Sequence, residues 1–487
     1  MQYTKPETVK QIVGSAHQAQ SYWGDLPIEE RARYILKARD YLVRSRDEVA
    51  RTISLDTEKP SFEALVNEVL VTIDAMSYYS KKVKKFLGVQ KTHLHSPILA
   101  LTKKAYIVWE PVGVVGVITP WNYPFSLAMY PVVCALLAGN TVVFKPSELT
   151  PRVAEKIKEI FDAAGLPERV FQVISGEAEV GQALIESNIN KIHFTGSVTV
   201  GRKVAELAAK KLLPYALELG GSDPMIVLED ANIKRAVNAA CWGRFSNAGQ
   251  TCIAVKRVYV AQAVAQEFKE RLIEKVKKLH TRANGSHLEE FGPVINEKQS
   301  HLVKSQLEDS IRVGGKLLYG GHADVHGERF IPPTLIEAQE ANMRLLKEET
   351  FGPVLPIVTF KTEDEAVSLA NDSSFGLGAS IFTKNQDRAM KLARRLEAGS
   401  VLINDVMTGF AATELPFGGV KSSGIGFSHG GEDGLRAFAQ PKSILADRWG
   451  LNSELYWFPY TKNKYRLFSA LIKLLYGKLE FLWDLVF

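Results

Sequence analysis

Apolar residues first recur along this chain at helical spacing. From Glu29 to Val49, residues Tyr34, Ile35, Ala38, Tyr41, Leu42 and Val49 share one face with charges between them. Residues 61–88 repeat the character, so 7–90 is read as helical. Near 98 the texture changes. Ile98 to Val117 is rich in β-branched and aromatic residues, with Pro111 and Gly113 as punctuation, and reads as strands. Within it begins Val114–Thr119, a short and almost wholly apolar run, as expected of a strand buried on both faces. The pattern then alternates: helix Phe125–Ala138, strand Thr141–Phe144, helix Pro151–Ala164, strand Phe171–Ile174, helix Val180–Ser187, strand Lys191–Phe194, helix Val200–Lys211. Such alternation predicts an α/β fold, a parallel sheet with helices on both faces.

From 219 the alternation restarts. Met225–Leu228, Arg257–Val260, Pro356–Thr359 and Ser400–Ile403 read as strands, and 231–246, 263–280, 364–370 and 385–397 as helices, which predicts a second α/β domain. The last stretch differs again. Over 464–487, Phe468, Leu471, Ile472, Leu475, Leu479, Leu482, Trp483 and Val486 fall on one helical face, with Arg466, Lys473, Glu480 and Asp484 opposite and Lys478 off that polar strip. Charges inside the segment argue against a bilayer-spanning helix and for an amphipathic one.

A chain of 487 residues implies two or three domains. Its 46% hydrophobic and 23% charged residues exclude a disordered or collagen-like chain. Sixty basic against 54 acidic residues leave a net charge of +6, too diffuse for a nucleic-acid footprint. The three cysteines, Cys134, Cys241 and Cys252, are odd in number and form no CxxC pair, so free thiols in a reducing compartment are expected. No apolar run follows the first residues, which argues against a secretory signal and for a cytoplasmic location. The ten histidines show no metal-ligand spacing, and no metal is expected.

Chemistry is suggested by five segments, each with a plainer reading beside it. No G-x-G-x-x-G is present; the nearest substitute is Phe194-Thr195-Gly196-Ser197-Val198-Thr199-Val200-Gly201. It follows a strand and opens a helix, where backbone N–H groups can receive a pyrophosphate, or it is an ordinary strand–turn–helix joint. Lys145-Pro146-Ser147-Glu148 ends another strand and suits ribose hydroxyls, or is a polar loop. Cys252 stands among Gly and small polar residues rather than in an apolar run, unlike Cys134 and Cys241, which read as core. Glu218 precedes Gly220 and Gly221; burial would make it a general base, exposure a turn residue. Asn122, at the end of the buried strand, suits either an oxyanion or a helix-capping turn.

Together the pieces resemble the NAD(P)-dependent aldehyde dehydrogenase superfamily. The matching segments are Pro120-Trp121-Asn122-Tyr123-Pro124-Phe125, Lys145-Pro146-Ser147-Glu148, Phe194-Thr195-Gly196-Ser197, Glu218-Leu219-Gly220-Gly221, Asn247-Ala248-Gly249-Gln250-Thr251-Cys252, Glu349-Thr350-Phe351-Gly352-Pro353-Val354 and Pro416-Phe417-Gly418-Gly419. They occur in the family's order over roughly residues 1–450. The resemblance implies a Rossmann-like dinucleotide-binding domain (1–98 and 114–218), a catalytic α/β domain (219–420) and a small β oligomerisation element (99–113 and 436–450), with 464–487 as an added helix. It implies oxidation of an aldehyde through Cys252 as nucleophile, Glu218 as general base and Asn122 as oxyanion donor. Trp121, Lys145, Glu148, Gly196, Ser197, Gly201, Glu349 and Phe351 would bind the cofactor. A carboxylate at Glu148 accepts from a free 2′-OH and repels a 2′-phosphate, so NAD is expected over NADP.

The stretch from Asn122 to Glu148, with Pro131 where other classes often carry Lys, resembles the class 3 branch that includes the fatty aldehyde dehydrogenases. The chain also begins directly with helices, without the N-terminal arm of the tetrameric classes. A homodimer is implied. Trp121, Phe125 and Phe410 are expected to line an apolar tunnel for an aliphatic or aromatic aldehyde. The C-terminal helix is read three ways, as a gate for long chains, as a contact with a membrane surface, or as a helix packed across a dimer. Against the main reading stand a CoA-acylating or semialdehyde-specific dehydrogenase and a non-catalytic, membrane-associated protein on the same fold. Glu218 argues against CoA release, which needs no base.

Overall fold

The structure is a computed structural model that describes residues 2–279, 290–321, 327–338, 342–427 and 429–477. It divides into two compact units, Met1–Gly88 with Trp109–Pro441, and Val89–Val108 with Lys442–Phe487.

The first unit opens with the helices Pro6–Asp25, Ile28–Thr57 and Val71–Leu87. The second of these runs beyond the expected 29–49 because Ala50 and Ile53 continue the buried stripe. Trp23, Ile35, Leu42, Met76 and Tyr79 pack with Phe125, Met129, Leu136 and Phe144 in one apolar core. Between helices lies a π turn at Leu65–Leu70.

The expected parallel sheet is present. Its strands lie in the order Phe171–Val173, Thr141–Lys145, Val114–Ile118, Lys191–Thr195, Tyr215–Glu218, with a short antiparallel strand Gly424–Ile425 outside the last. In chain order the five are third, second, first, fourth and fifth, so the winding reverses between Val114–Ile118 and Lys191–Thr195. Crevices outside the carboxyl ends of strands at such a reversal are where dinucleotides bind in open α/β sheets.

A second sheet has seven strands: Lys316–Tyr319, Thr334–Glu337, Val354–Phe360, Val255–Ala261, Asp223–Val227, Gly378–Phe382 and Ser400–Ile403. All neighbours are parallel except the first pair. Helix Glu297–Arg312 escaped the sequence reading because its apolar stripe is thin; Val303 and Leu307 are its buried aliphatic residues.

The second unit carries most of a three-stranded sheet, ordered Gln90–Thr92, Lys103–Pro111, Ala439–Asp447. A strand was expected from 98. Residues Pro97–Thr102 instead form a helical turn, with Pro97 in its first turn and the Ser96 hydroxyl accepting from the Leu99 N–H, a strong helix-start signal. The amphipathic C-terminal segment is helical over Lys462–Tyr476. Its continuation over 478–487, with Leu479, Leu482, Trp483 and Val486, lies outside the described residues. Among the described residues no helix is long and apolar enough to cross a membrane.

Candidate active site

Two hollows flank residue 122 in the chain, one lined by Trp121 and the other by Tyr123. The first, about 690 Å³, is a groove beyond the carboxyl ends of the first sheet. Ile118 to Trp121 form one wall, Lys145, Ser147 and Glu148 another, and Phe194 to Ser197 lead into helix Val198–Ala209. Ser197 caps that helix by accepting from the Val200 N–H at 3.3 Å. Lys145 lies 3.7 Å from Glu148 and donates to the Pro146 carbonyl at 3.1 Å; burial lowers its pKa, which Glu148 opposes. A helix N-terminus, a strand-end lysine and a carboxylate in a groove of this size suit the pyrophosphate and ribose of a dinucleotide. Gly201 does not line the groove. A Cβ there would meet Leu219 at 2.4 Å, so this glycine lets the helix pack closely on the chain beyond Glu218.

The second hollow, about 270 Å³, is lined by Val66, Leu70, Val71, Tyr123, Leu127, Trp242, Ile253, Met407 and Phe410, with polar Asn67, Ser126, Thr251 and Thr408 and the Cys252 side. Of the three residues expected in an apolar tunnel, Phe410 is here, Trp121 lines the other hollow and meets Phe351 edge-on at 5.6 Å, and Phe125 is fully buried in the helical core. Trp121 and Phe125 bracket a turn, so neighbours in sequence face different compartments.

Cys252 is partly exposed, whereas Cys134 and Cys241 are buried. Its segment leaves helix Ile233–Phe245 through Asn247 and Ala248, both left-handed at φ 52° and 53°. An alanine in that region stores strain of ~1–3 kcal/mol, and the surroundings hold it. Glu63 accepts from the Asn247 N–H with both oxygens, at 3.1 and 2.9 Å, and from the Ser246 hydroxyl at 2.9 Å. Burial raises Glu63 to about 7. Gly221 is required by proximity, since a Cβ there would sit 2.5 Å from the Cys252 carbonyl oxygen. Burial pushes the Cys252 thiol up to about 12, while Lys256 pulls it down.

The Asn122 side-chain amide donates to the Gln250 carbonyl at 3.0 Å, which leaves its second N–H for another acceptor. Its backbone carbonyl accepts from Asn247 Nδ2 at 2.9 Å and from Lys59 Nζ at 2.6 Å. Lys59 pairs with Glu68 at 2.7 Å, the two side chains 1% and 0% exposed, and lies 4.1 Å from the Tyr123 ring centre. Glu68 in turn accepts from the Phe125 and Ser126 N–H groups. Removing either partner strands a buried charge. Lys59→Met is expected to cost about 3–5 kcal/mol in chemical denaturation, and the double change with Glu68→Leu less than the single one; equal losses would contradict the pairing.

Glu218 ends strand Tyr215–Glu218. It is 5% exposed, and among the described residues neither carboxyl oxygen has a hydrogen-bond partner. Burial holds its pKa well above the usual carboxylate range. Glu349 accepts from the Gly221 N–H at 3.0 Å and faces Lys256 at 3.4 Å. The structure thus gathers Cys252, Glu218, Asn122 and Glu349 around one junction and places Trp121, Lys145, Glu148, Gly196 and Ser197 along the groove.

Sequence reasoning missed Glu63, the Lys59–Glu68 pair and Lys256. Only Lys256 left a signal, a charge inside the apolar run Val255–Ala261, which is buried at every position.

A loop that carries a partly exposed cysteine, a buried carboxyl beside it and a groove beyond the strand ends are features that known proteins share with this chain. The profile described as "Aldehyde dehydrogenase family" matches residues 1–444. The chain is 38% identical over 479 residues to a 4,4'-diapolycopene aldehyde oxidase of Methylomonas sp, covering 98% of this chain and 88% of that one. It is 37% identical over 435 residues to the mitochondrial succinate-semialdehyde dehydrogenase of Arabidopsis thaliana, covering 89% and 80%. Among solved structures, an NAD-dependent aldehyde dehydrogenase from Sinorhizobium meliloti superposes with a TM-score of 0.88 at 34% identity, covering 93% of this chain and 89% of that one. An NADP-dependent enzyme of E. coli gives 0.86 at 33%, covering 92% and 91%. Profile, sequence and α/β architecture agree over nine-tenths of the length, and the chain belongs to the aldehyde dehydrogenase family.

Proposed function

We propose that this protein oxidises an uncharged, apolar aldehyde to the carboxylic acid with NAD, using Cys252 as nucleophile, Glu218 as general base and Asn122 as oxyanion donor. One observation carries the reading: Trp121 lines the groove, Tyr123 and Cys252 line the apolar hollow, and Asn122 stands between. A substrate in one hollow and a dinucleotide in the other would meet at that residue.

The Cys252 thiol must lose its proton before its sulfur attacks the carbonyl carbon. The oxygen of the thiohemiacetal is then held by the free N–H of Asn122 and the Cys252 backbone N–H, each donor worth about 3 kcal/mol in a transition state. NAD bound in the groove supplies one thing, an acceptor for the hydride that leaves the substrate carbon. The acyl group remains on Cys252 as a thioester. Glu218 takes a proton from the water that attacks it, and the acid departs while the sulfur regains its electron pair. A carboxyl raised by burial suits proton abstraction near neutrality. Glu148 lines the groove beside Lys145, and a carboxylate there supports NAD over NADP. Pro131, buried inside helix Ser126–Leu137, supports placement near the class 3 branch, for which a homodimer is expected.

The relatives' names point two ways, to a diapolycopene aldehyde and to succinate semialdehyde. Among the described residues no Lys, Arg or His lines the apolar hollow, so a substrate carboxylate would be buried there unpaired, at high cost. An uncharged chain is favoured. The C-terminal segment carries exposed Trp449, Trp457, Phe458, Tyr460, Tyr465 and Ile472 with Lys462, Lys464, Arg466 and Lys473, a composition suited to an anionic membrane surface.

The test is NADH formation across straight-chain aldehydes, benzaldehyde and succinate semialdehyde, with NAD and NADP in parallel. The ratio kcat/KM is expected to rise with chain length by up to about fourfold per methylene until the hollow is filled, with NAD preferred. A flat series, or succinate semialdehyde as best substrate, would contradict the apolar reading. Deleting 464–487 is expected to reduce pelleting with phosphatidylglycerol vesicles; unchanged pelleting dismisses the membrane role.

A further inference from the structure

Strand Val255–Ala261 is buried throughout and still carries two adjacent cations. Arg257 is accounted for by structure. Its guanidinium donates to the carbonyls of Ser222 (2.7 Å), Leu369 (3.2 Å) and Ala370 (2.9 Å) and to the Tyr259 hydroxyl (3.0 Å). Lys256, one residue earlier, points to the other face of the sheet. Its ammonium donates to the Thr251 carbonyl at 2.7 Å and the Cys252 carbonyl at 2.6 Å, and lies 3.4 Å from Glu349 Oε1. The side chain is 1% exposed. Two neutral carbonyls and one carboxylate beyond ordinary hydrogen-bond distance are thin compensation for a desolvated ammonium.

The surroundings give the charge a use. Lys256 is faced by Glu349 and Asp223, by the cation Arg244 and by Cys252. Cys252 is faced by Lys256 and by three acids, Glu349, Asp223 and Glu218. Burial raises the pKa of Glu218 and weakens its claim as a negative charge, and Asp223 is tied to the Gly378 N–H at 3.0 Å. Glu349 is the acid with a choice, because it is 20% exposed and, among the described residues, its carboxylate accepts from the Gly221 N–H while it faces Lys256. Geometry adds a second effect. In a planar trans peptide the N–H points opposite to the C=O. By holding the Thr251 carbonyl, Lys256 turns the Cys252 N–H away from itself.

We propose that Lys256 is a positioning residue that orients the Thr251–Cys252 peptide and supplies the positive charge favouring the Cys252 thiolate, with the Glu349 carboxylate competing for that charge. While Glu349 stays beside Lys256 the thiol is held protonated. When Glu349 turns toward another partner, the ammonium serves the sulfur alone. The catalytic consequence rests on Cys252 being the nucleophile, but the ionisation itself is readable without turnover.

The experiment is alkylation of the full-length, cofactor-free protein by iodoacetamide across pH 6–9, with modification at Cys252 followed by peptide mass. Cys134 and Cys241, both buried, serve as internal references. Lys256→Met is expected to slow alkylation at pH 7 about threefold or more. A one-unit rise in pKa cuts the thiolate tenfold, while the more basic thiolate is more reactive. Lys256→Arg should recover most of the rate. Glu349→Gln should move it the other way, about threefold faster. A Lys256→Met profile superimposed on wild type overturns the proposal. If that variant does not fold, Glu349→Gln decides alone, and an unchanged or slower rate overturns it. Loss of the dehydrogenase reading would leave these alkylation rates untouched, so the two failures are separable.

Discussion

Cys252→Ala is expected to abolish aldehyde oxidation, lowering kcat by at least about 10⁴-fold, in the range seen when a covalent nucleophile is removed. Neither other thiol can stand in. Cys134 and Cys241 are buried, and burial pushes both thiols up, Cys241 to about 12. The groove is built from Thr119, Lys145, Glu148 and the 194–197 turn, none of which the change touches. NAD should therefore raise the melting temperature of variant and wild type alike, because a ligand that binds only the native state stabilises it. NADH formation and thermal melting with NAD check both halves. Turnover within tenfold of wild type would remove Cys252 from the chemistry, and a lost NAD shift would mean that the variant had disturbed the fold.

Glu218→Gln should separate the two half-reactions. The first turnover needs no base for water, so one equivalent of NADH per site should appear at close to the wild-type rate. Steady turnover should then fall by about 10²–10⁴-fold. The same change carries a stability signature. The Glu218 carboxyl is buried with both oxygens unpartnered, and its folded pKa is raised by that burial. A raised folded pKa means that the native state holds the proton longer than the unfolded chain. The contribution to stability is whole below the unfolded pKa and is lost as pH rises through the folded value. The amide cannot ionise, so Glu218→Gln should melt higher than wild type at neutral and alkaline pH and with little difference at acid pH. In the wild type, kcat should rise with pH across the Glu218 ionisation, and that limb should be missing in the variant. A variant with wild-type steady turnover would take the base assignment from Glu218.

The fold was legible wherever burial left a one-dimensional trace. Val114–Ile118, apolar at every position, could only be an inner strand, and the alternation that follows it fixed a parallel sheet. The antiparallel edge Lys316–Tyr319 and the helix Glu297–Arg312 were not legible, because half-exposed elements blur their periodicity. The short helix Pro97–Thr102 was hidden by β-branched and apolar residues around a Ser-Pro start. The site divides in the same way. Cys252, Glu218 and Asn122 lie beside glycines or at strand ends, where local sequence is constrained by chemistry or close approach. Lys59, Glu63 and Glu68 support them from a helical segment some 60 to 190 residues away in sequence, and nothing local to that segment announces the contact. Charges inside an otherwise apolar strand were the one usable sign, and they mark Lys256.

The proposed mechanism requires the substrate carbon to pass through a covalent bond to Cys252 before water is admitted. It is tested most directly by mixing Glu218→Gln with NAD and a medium-chain aldehyde, quenching in acid and measuring intact and peptide masses. The expected result is a mass gain equal to the acyl group, located on the peptide holding Cys252, at a stoichiometry matching the NADH released. NADH formed with Cys252 unmodified, or an acyl group on another residue, would rule out Cys252 as the nucleophile.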